Sequence, residues 1–577
     1  MTKDRASDIP RFGRAFFTSG ESFSRIGDGE LGGKAEGLVS IRTELASAGH
    51  AAVSVDIPTS AVLATDVFDH FIARNGLAEV ACSDAADDRI ALAFQKGDLP
   101  VEVVGDLRAL IEDVHSPLAI RSSSLLEDAM FRPFAGVYQT KMIPNNQSDP
   151  DERFHRLVEA IKFVYASVYS KGAKGYIRAA GRTVTDEKMA VIIQEVVGER
   201  HFDRYYPHLS GVGRSYNFYP TGGAAPREGV VNLALGLGKT IVDGGISWPY
   251  SPAHPAAPPP FASVSDQMKN TQLEFWAVNM GDVREYDPTA ETEYLINADL
   301  RAAALDDTLR FVASTYDAER GRLVAGIGVD GPRVLNFSPL LEMGEFGLSD
   351  AIRSLLALCE QSVGAPVEIE FAATFPDNRN DRARLALLQV RPMVVSDETV
   401  TIDDTEFEAP DLLLASPRVM GNGSENTICD VVYVKPERFE ARSTRVIAAE
   451  LEQLNRTLMD DERRYLLIGF GRWGSVDPWL GIPVNWGDIA SAKVIVEATL
   501  PDMNVEPSQG SHFFHNITSF EVSYFTVHHE KKPGIDWDWL NALPVVTETE
   551  HLRHVRCDSP LRVKVDGRSG RGVIRHA

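Results

Sequence analysis

The stretch LALLQVRPM (385–393) is an apolar run of strand length that carries a glutamine and an arginine two residues apart. Strand alternation puts Gln389 and Arg391 on one face. Upstream, VEIEF (367–371) likewise puts Glu368 and Glu370 on one face, and the polar segment DNRNDRAR (377–384) joins the two runs as an antiparallel pair. Two more stretches lie far away in the chain. In LGGKAEGL (31–38), Lys34 follows two glycines and opens a helix whose positive end favours an anion. In LAIRSSSLLEDAMFRPFAG (118–136), Arg121 ends an apolar strand, where a guanidinium grips phosphate through two parallel hydrogen bonds. A carboxylate, an amide oxygen and a guanidinium aimed into one cleft give Mg²⁺ its oxygens and phosphates a counter-charge. The expectation is a nucleoside triphosphate and its metal held between two lobes.

Each piece alone has an ordinary reading. Gly-Gly-Lys is a helix start, Arg121 with Glu127 is a surface ion pair worth under ~1 kcal/mol, and Gln389 and Arg391 are solvent-facing strand residues. The joint presence of all of them, in this order, is what carries the functional reading.

At 577 residues the chain exceeds one ordinary core, so two to four domains are expected. Its hydrophobic content of 44% and charged content of 24% suit a globular protein. A formal charge of -24 argues against nucleic acid or an anionic membrane as partner and favours a small molecule met by locally placed basic groups. Cys82, Cys359, Cys429 and Cys557 are scattered without C-x-x-C spacing, which fits a reducing compartment. With no run of signal-peptide or membrane-span character, the expected location is cytoplasmic.

Residues 1–200 form the expected first lobe, with strand runs at 118–121 and 189–197 and one long amphipathic helix over 156–181. Residues 201–395 form the second lobe. It contains a strand entering a glycine-rich turn (VVNLALGLGKTIVDGG, 230–245), a six-proline loop (249–261) and a helical stretch around 301–318. The acidic segment 396–412 is expected to be a linker, 413–530 a smaller domain, and 531–577 a tail with a basic end and some strand character.

From about 28 to 395 the chain resembles the ATP-binding domain of phosphoenolpyruvate synthase and pyruvate, phosphate dikinase, a variant of the ATP-grasp fold. The family's G-G-K-x-x-x-L is matched by Gly32-Gly33-Lys34 with Leu38. Its R-S-S-x-x-x-E-D and F-A-G are matched by Arg121-Ser122-Ser123, Glu127-Asp128 and Phe134-Ala135-Gly136. Its W-A-S-L-F helix, its Q-x-M-V hinge and its G-L-G-E-x-x-V-x-G element correspond to YASVY (165–169) with Tyr176, Gln194–Val197 and GLGKTIVDG (236–244). D-I-E-W with L-Q-x-R-P corresponds to EIEF (368–371) with LQVRP (388–392). The resemblance implies a two-lobed α/β (α+β) nucleotide-binding module joined to a smaller C-terminal α/β domain. It implies that Lys34, Arg121 and Arg391 bind phosphates, that Glu370 and Gln389 bind Mg²⁺, and that Glu195 and Val197 line the adenine pocket, with Gly236 and Gly238 also at the ATP. The chain departs from the pattern at Lys239, where Glu is usual, at Val196, where Met is usual, and at IPTSAVL (57–63), which replaces P-x-G-F.

In that family a histidine on a mobile domain receives the phosphate. PSQGSHFFHNITS (507–519) resembles its turn around Gly510-Ser511-His512, and ASPRVMGNG (415–423) with YLLIGF (465–470) resembles the opening and central strand of the carrier domain. A neutral imidazole is nucleophilic near pH 7, which suits His512 as a relay; the plain alternative is that His512 and His515 are structural. GFGRWGSVDPWLGIPVNW (469–486) holds three tryptophans that read as a small core, with Arg472 and Asp477 as candidates for orienting an acceptor.

The expected function is an ATP- and Mg²⁺-dependent phosphotransferase acting on an unidentified small-molecule or protein acceptor. With only 47 residues after 530, a second chain, identical or different, is one source for the acceptor site. Two other classes stay open: an ATP-binding regulatory or scaffolding protein without turnover, and an ATP-grasp ligase forming an acyl phosphate.

Overall fold

The structure is a computed structural model that describes all residues except 1–8, 14–15, 17–20, 46–51, 126–135, 180, 219, 221–222, 258–262, 283–284, 379–380, 396–399, 476–478, 502–516, 518–519, 531–533 and 577. It is mixed α/β and divides into two compact units, one of residues 1–174 with 183–392 and one of 175–182 with 393–577. Among the described residues no helix is long and apolar enough to cross a membrane.

Two sheets organise the first unit. A five-stranded sheet runs in the order Phe23–Ile26, Ser60–Leu63, Met189–Glu195, Leu118–Ser124, Thr140–Ile143. A six-stranded sheet runs in the order Trp248–Tyr250, Val230–Ala234, Leu209–Arg214, Val367–Thr374, Ala383–Pro392, Val53–Asp56. The last of these strands comes from the N-terminal part of the chain and pairs in parallel with Ala383–Pro392, so the two lobes share strands and are not successive blocks of sequence.

The expected antiparallel pair forms, with Glu370 opposite Gln389 and Glu368 opposite Arg391. Val367, Ile369 and Phe371 turn to the other face and bury against Leu355, Leu356 and Cys359 of the helix Leu348–Val363. On the neighbouring strand Leu209–Arg214 that apolar face is kept thin by glycine. A Cβ at Gly211 would stand 2.1 Å from the Phe371 ring. Ser210, Val212 and Arg214 therefore share the polar face with Glu368 and Glu370.

Two expected helices come out differently. The helix over 156–181 is two helices, Pro150–Ser167 and Lys171–Ala179. Ser170 starts the second by accepting the Ala173 N–H at 3.2 Å, a local side-chain bond that competes with continuing the first helix. The stretch 301–318 is two short helices, Leu300–Leu305 and Leu309–Val312, parted by a left-handed turn at Asp307 (φ 58°), and then the strand Ala313–Asp317.

In the second unit, strands Asp430–Val434, Tyr465–Phe470, Ala492–Ala498 and Ser523–Val527 pair in parallel within a seven-stranded sheet, with helix Thr444–Asp460 connecting the first two. Residues 545–575 contribute four strands. Two of them, Arg562–Asp566 and Arg571–Arg575, build a second sheet with Leu412–Ser416 and Asn422–Glu425. The acidic segment is held by the basic end: Lys564 Nζ lies 2.7 Å from Glu406, Arg571 Nη1 2.7 Å from Asp404 and Arg562 Nη2 2.9 Å from Asp411. Residues 404–411, expected to form a linker, are strapped onto these strands by charge pairing.

Candidate functional site

The Gly-Gly-Lys turn is stitched to the Arg121 strand. Gly32 takes φ 75° as the helix cap, and a Cβ there would fall 1.8 Å from the Ser123 carbonyl oxygen, so no other residue fits. Ser123 Oγ accepts the Ala35 N–H at 3.1 Å and donates to the Leu31 carbonyl at 2.8 Å. Lys34 is buried, and its ammonium donates to Ser122 Oγ at 3.1 Å, beside Arg121 in the chain.

Arg121 reaches from the five-stranded sheet to the six-stranded one. Its Nη2 donates to Glu370 Oε2 at 3.0 Å and to Gln389 Oε1 at 2.9 Å. Its Nη1 donates to the Leu388 carbonyl at 2.7 Å and to Gln194 Oε1 at 3.3 Å. Lys34, Arg121, Glu370 and Gln389, which span more than 350 residues of sequence, thus form one connected constellation. The two side-chain oxygens converge on a single nitrogen. An oxygen-seeking divalent cation suits that donor pair.

Arg391 lies on the same face, one row further along. It donates through Nη2 to Glu368 Oε1, and both side chains are 2% exposed. Arg214 approaches the other oxygen, with Nε 2.5 Å from Glu368 Oε2. Burial by itself pushes the Glu368 carboxyl up, but Arg391 and Arg214 hold it below the usual carboxylate range.

The remaining expected residues lie around two apolar patches. Glu195 accepts a hydrogen bond from Ser116 Oγ at 2.6 Å, and Val197 packs with Ala372, Ala386 and Leu388. Val196 packs with Ala119, Leu237, Val278 and Met280, which brings the 194–197 segment to the glycine-rich turn. In that turn Gly236 accepts a bond from Ser210 Oγ, Leu237 N–H donates to the Trp276 carbonyl at 2.9 Å, and Gly238 caps the short helix Lys239–Val242. Lys239 pairs with Asp243 at 3.0 Å and Glu291 at 3.1 Å.

Glu127, Asp128, Phe134, Ala135, Asp477, His512 and His515 lie outside the described residues. Of the tryptophans in 469–486, Trp473 is fully buried and donates to the Val496 carbonyl at 3.1 Å, Trp486 stacks on Phe520, and Trp479 is exposed. Sequence reasoning passed over Ser122 and Ser123 as fasteners, Glu368 as the partner of Arg391, and Arg214 altogether. The sequence signal for Arg214 is slight: a charge ending a strand whose alternate positions, Gly211 and Gly213, are glycine.

Two curated proteins show partial similarity. An uncharacterized phosphotransferase, YvkC of Bacillus subtilis (strain 168), is 24% identical over 191 residues, covering 33% of this chain and 20% of that protein. A phosphoenolpyruvate synthase of Aeropyrum pernix (strain ATCC 700893 / DSM 11879 / JCM 9820 / NBRC 100138 / K1) is 24% identical over 238 residues, covering 38% of this chain and 26% of that protein. The chain therefore spans only about a fifth to a quarter of the length of these relatives. The family described as pyruvate phosphate dikinase, AMP/ATP-binding domain, matches residues 29–409, a range that holds every residue of the constellation above. That range is well over half of the 577 residues, and the chain belongs to this family of ATP-grasp-like nucleotide-binding domains.

Proposed function

We propose that this protein is an ATP- and Mg²⁺-dependent phosphotransferase. The observation that carries the reading is Arg121, which joins Glu370 to Gln389 one residue away from the serine that anchors Lys34. In this reading Lys34, Arg121 and Arg391 meet the phosphates, Glu370 and Gln389 hold the metal, and Glu195 and Val197 border the adenine with Gly236 and Gly238 nearby. The metal neutralises phosphate charge when bound. The protein's own part is positioning: serine and carboxylate partners hold the cations on the face where charge develops.

The phosphoryl group passes through His512, or directly, to a small-molecule or protein acceptor that Arg472 and Asp477 help to orient. A relay through His512 makes AMP and phosphate the companion products. The site of action is cytoplasmic, and a second copy or another chain completes the acceptor site.

The test is incubation with β- and γ-labelled ATP in separate tubes, followed by a search for acid-labile label on the protein. Label from the β position that disappears in His512→Ala is the expected result. ATP left intact in both tubes, with and without candidate acceptors, sinks the phosphotransferase reading. ADP formed without any phosphoenzyme removes the relay alone.

A further inference from the structure

Away from the phosphate face, Glu199, His201 and His208 bring one potential ligand atom each to within 4.8 Å of one another. The Phe375 backbone N–H donates to His208 Nδ1 at 2.8 Å, which leaves the neutral ring's proton on Nε2, the nitrogen 3.8 Å from Glu199. A metal ligand needs that nitrogen bare and the opposite tautomer. In this tautomer His208 is not a metal ligand, and the trio carries no metal site.

The phosphate face itself carries more charge than its own pairs account for. Arg214, Glu368 and Arg391 are direct neighbours across three strands, in the row next to Glu370 and Gln389. Glu368 is one carboxylate between two guanidiniums, and its pairing with the fully buried Arg391 is already complete. Arg214 is 12% exposed, and its Nη2 is buried without any hydrogen-bond partner among the described residues. An orphaned donor and a surplus positive charge, both withdrawn from water, are costly unless an anion arrives to meet them. Among the described residues of this face, Lys34, Arg121, Arg214 and Arg391 stand against Glu368 and Glu370, an excess of two positive charges. A triphosphate that carries its metal keeps about two negative charges.

We propose that Arg214 is an additional phosphate-binding residue, which keeps Nε on Glu368 and offers Nη2 to an oxygen of the nucleotide's outer phosphates. The assignment rests on the reading of this face as an ATP site. The outer phosphates are the target because Glu370 and Gln389, one row away, would hold the metal, which would supply charge neutralisation to those phosphates. Arg214 is not needed to neutralise Glu368, since Arg391 does that.

The test is equilibrium binding of ATP and of AMP, each with Mg²⁺, to wild type, R214M and R214K. R214M is expected to weaken ATP about ten- to hundredfold, the range for losing one charge-assisted hydrogen bond, and to leave AMP within about twofold. R214K, which keeps the charge and loses the fork, is expected to fall between, and it carries the test if R214M does not fold. Unchanged ATP affinity in the variants, or equal losses for ATP and AMP, overturns the assignment while wild-type ATP binding stands. A wild type that binds neither nucleotide overturns the ATP site together with it.

Discussion

Two buried carboxylates in this protein are each surrounded by cations, and they differ in where the surplus charge goes. Asp430 begins the strand Asp430–Val434 of the second unit and takes Arg463 at 2.7 Å, His554 at 2.8 Å and Arg556 at 2.9 Å. Its two arginines are 33% and 40% exposed, so water takes up the excess charge. Glu368 has Arg391 at 2% and Arg214 at 12% exposure, and Arg214 Nη2 has no hydrogen-bond partner among the described residues. The Asp430 group is complete as it stands. It also sits at the amino end of parallel strands, opposite the carboxyl ends where open α/β sheets hold ligands. The Glu368 group is complete only with an external anion.

The largest expected effect breaks the sealed group. Glu368→Ala should leave two buried guanidiniums face to face and cost about 3–5 kcal/mol of unfolding free energy by denaturant titration. Asp430→Ala should cost less, because its arginines relax into water; equal losses would erase the distinction between the two groups. Next in size is catalysis. Lys34→Ala should lower ATP turnover about a hundredfold or more with the thermal midpoint little changed, and wild-type turnover would remove Lys34 from the site.

Acid sharpens the comparison further. Burial pushes the Asp430 carboxyl up, but His554, Arg463 and Arg556 outweigh it and hold it down at about 2. A carboxylate lowered on folding contributes stability above its unfolded value of about 3.9, and that contribution fades as pH falls towards about 2. The stability gap between wild type and Asp430→Asn should therefore be constant near neutrality and shrink between about pH 4 and 2. A gap that does not vary with pH would mean that Asp430 is not the titrating group. The smallest effect belongs to the acidic strap. Lys564→Ala should cost under about 1 kcal/mol, with added salt shrinking the difference, because its pair with Glu406 is only partly buried.

Several features were legible before any coordinates. The alternation in VEIEF and LALLQVR is a local, two-residue period, so it set which side chains share a face, and the polar turn between the runs set them antiparallel. Gly32-Gly33-Lys34 announced a helix opening after a tight backbone approach, and the helix Gly33–Ile41 begins there. The breaks at Ser170 and Asp307 were not legible, because apolar spacing looks the same across a capped interruption or a left-handed turn. The strap of 404–411 also escaped notice, since its basic partners lie some 160 residues later in the chain.

By itself, the order of residues determined the faces of individual strands, the helix start at the glycine pair and the family to which the chain belongs. The first two follow from dihedral geometry and spacing within a few residues, and the family from motifs matched in order along the chain. Tertiary structure alone decided that Val53–Asp56 crosses into the second sheet, that Arg121 spans the two sheets, and that Arg214 shares Glu368 with Arg391. Partners separated by about 150 to 330 residues are chosen by strand order and burial, and no local pattern encodes which strands become neighbours.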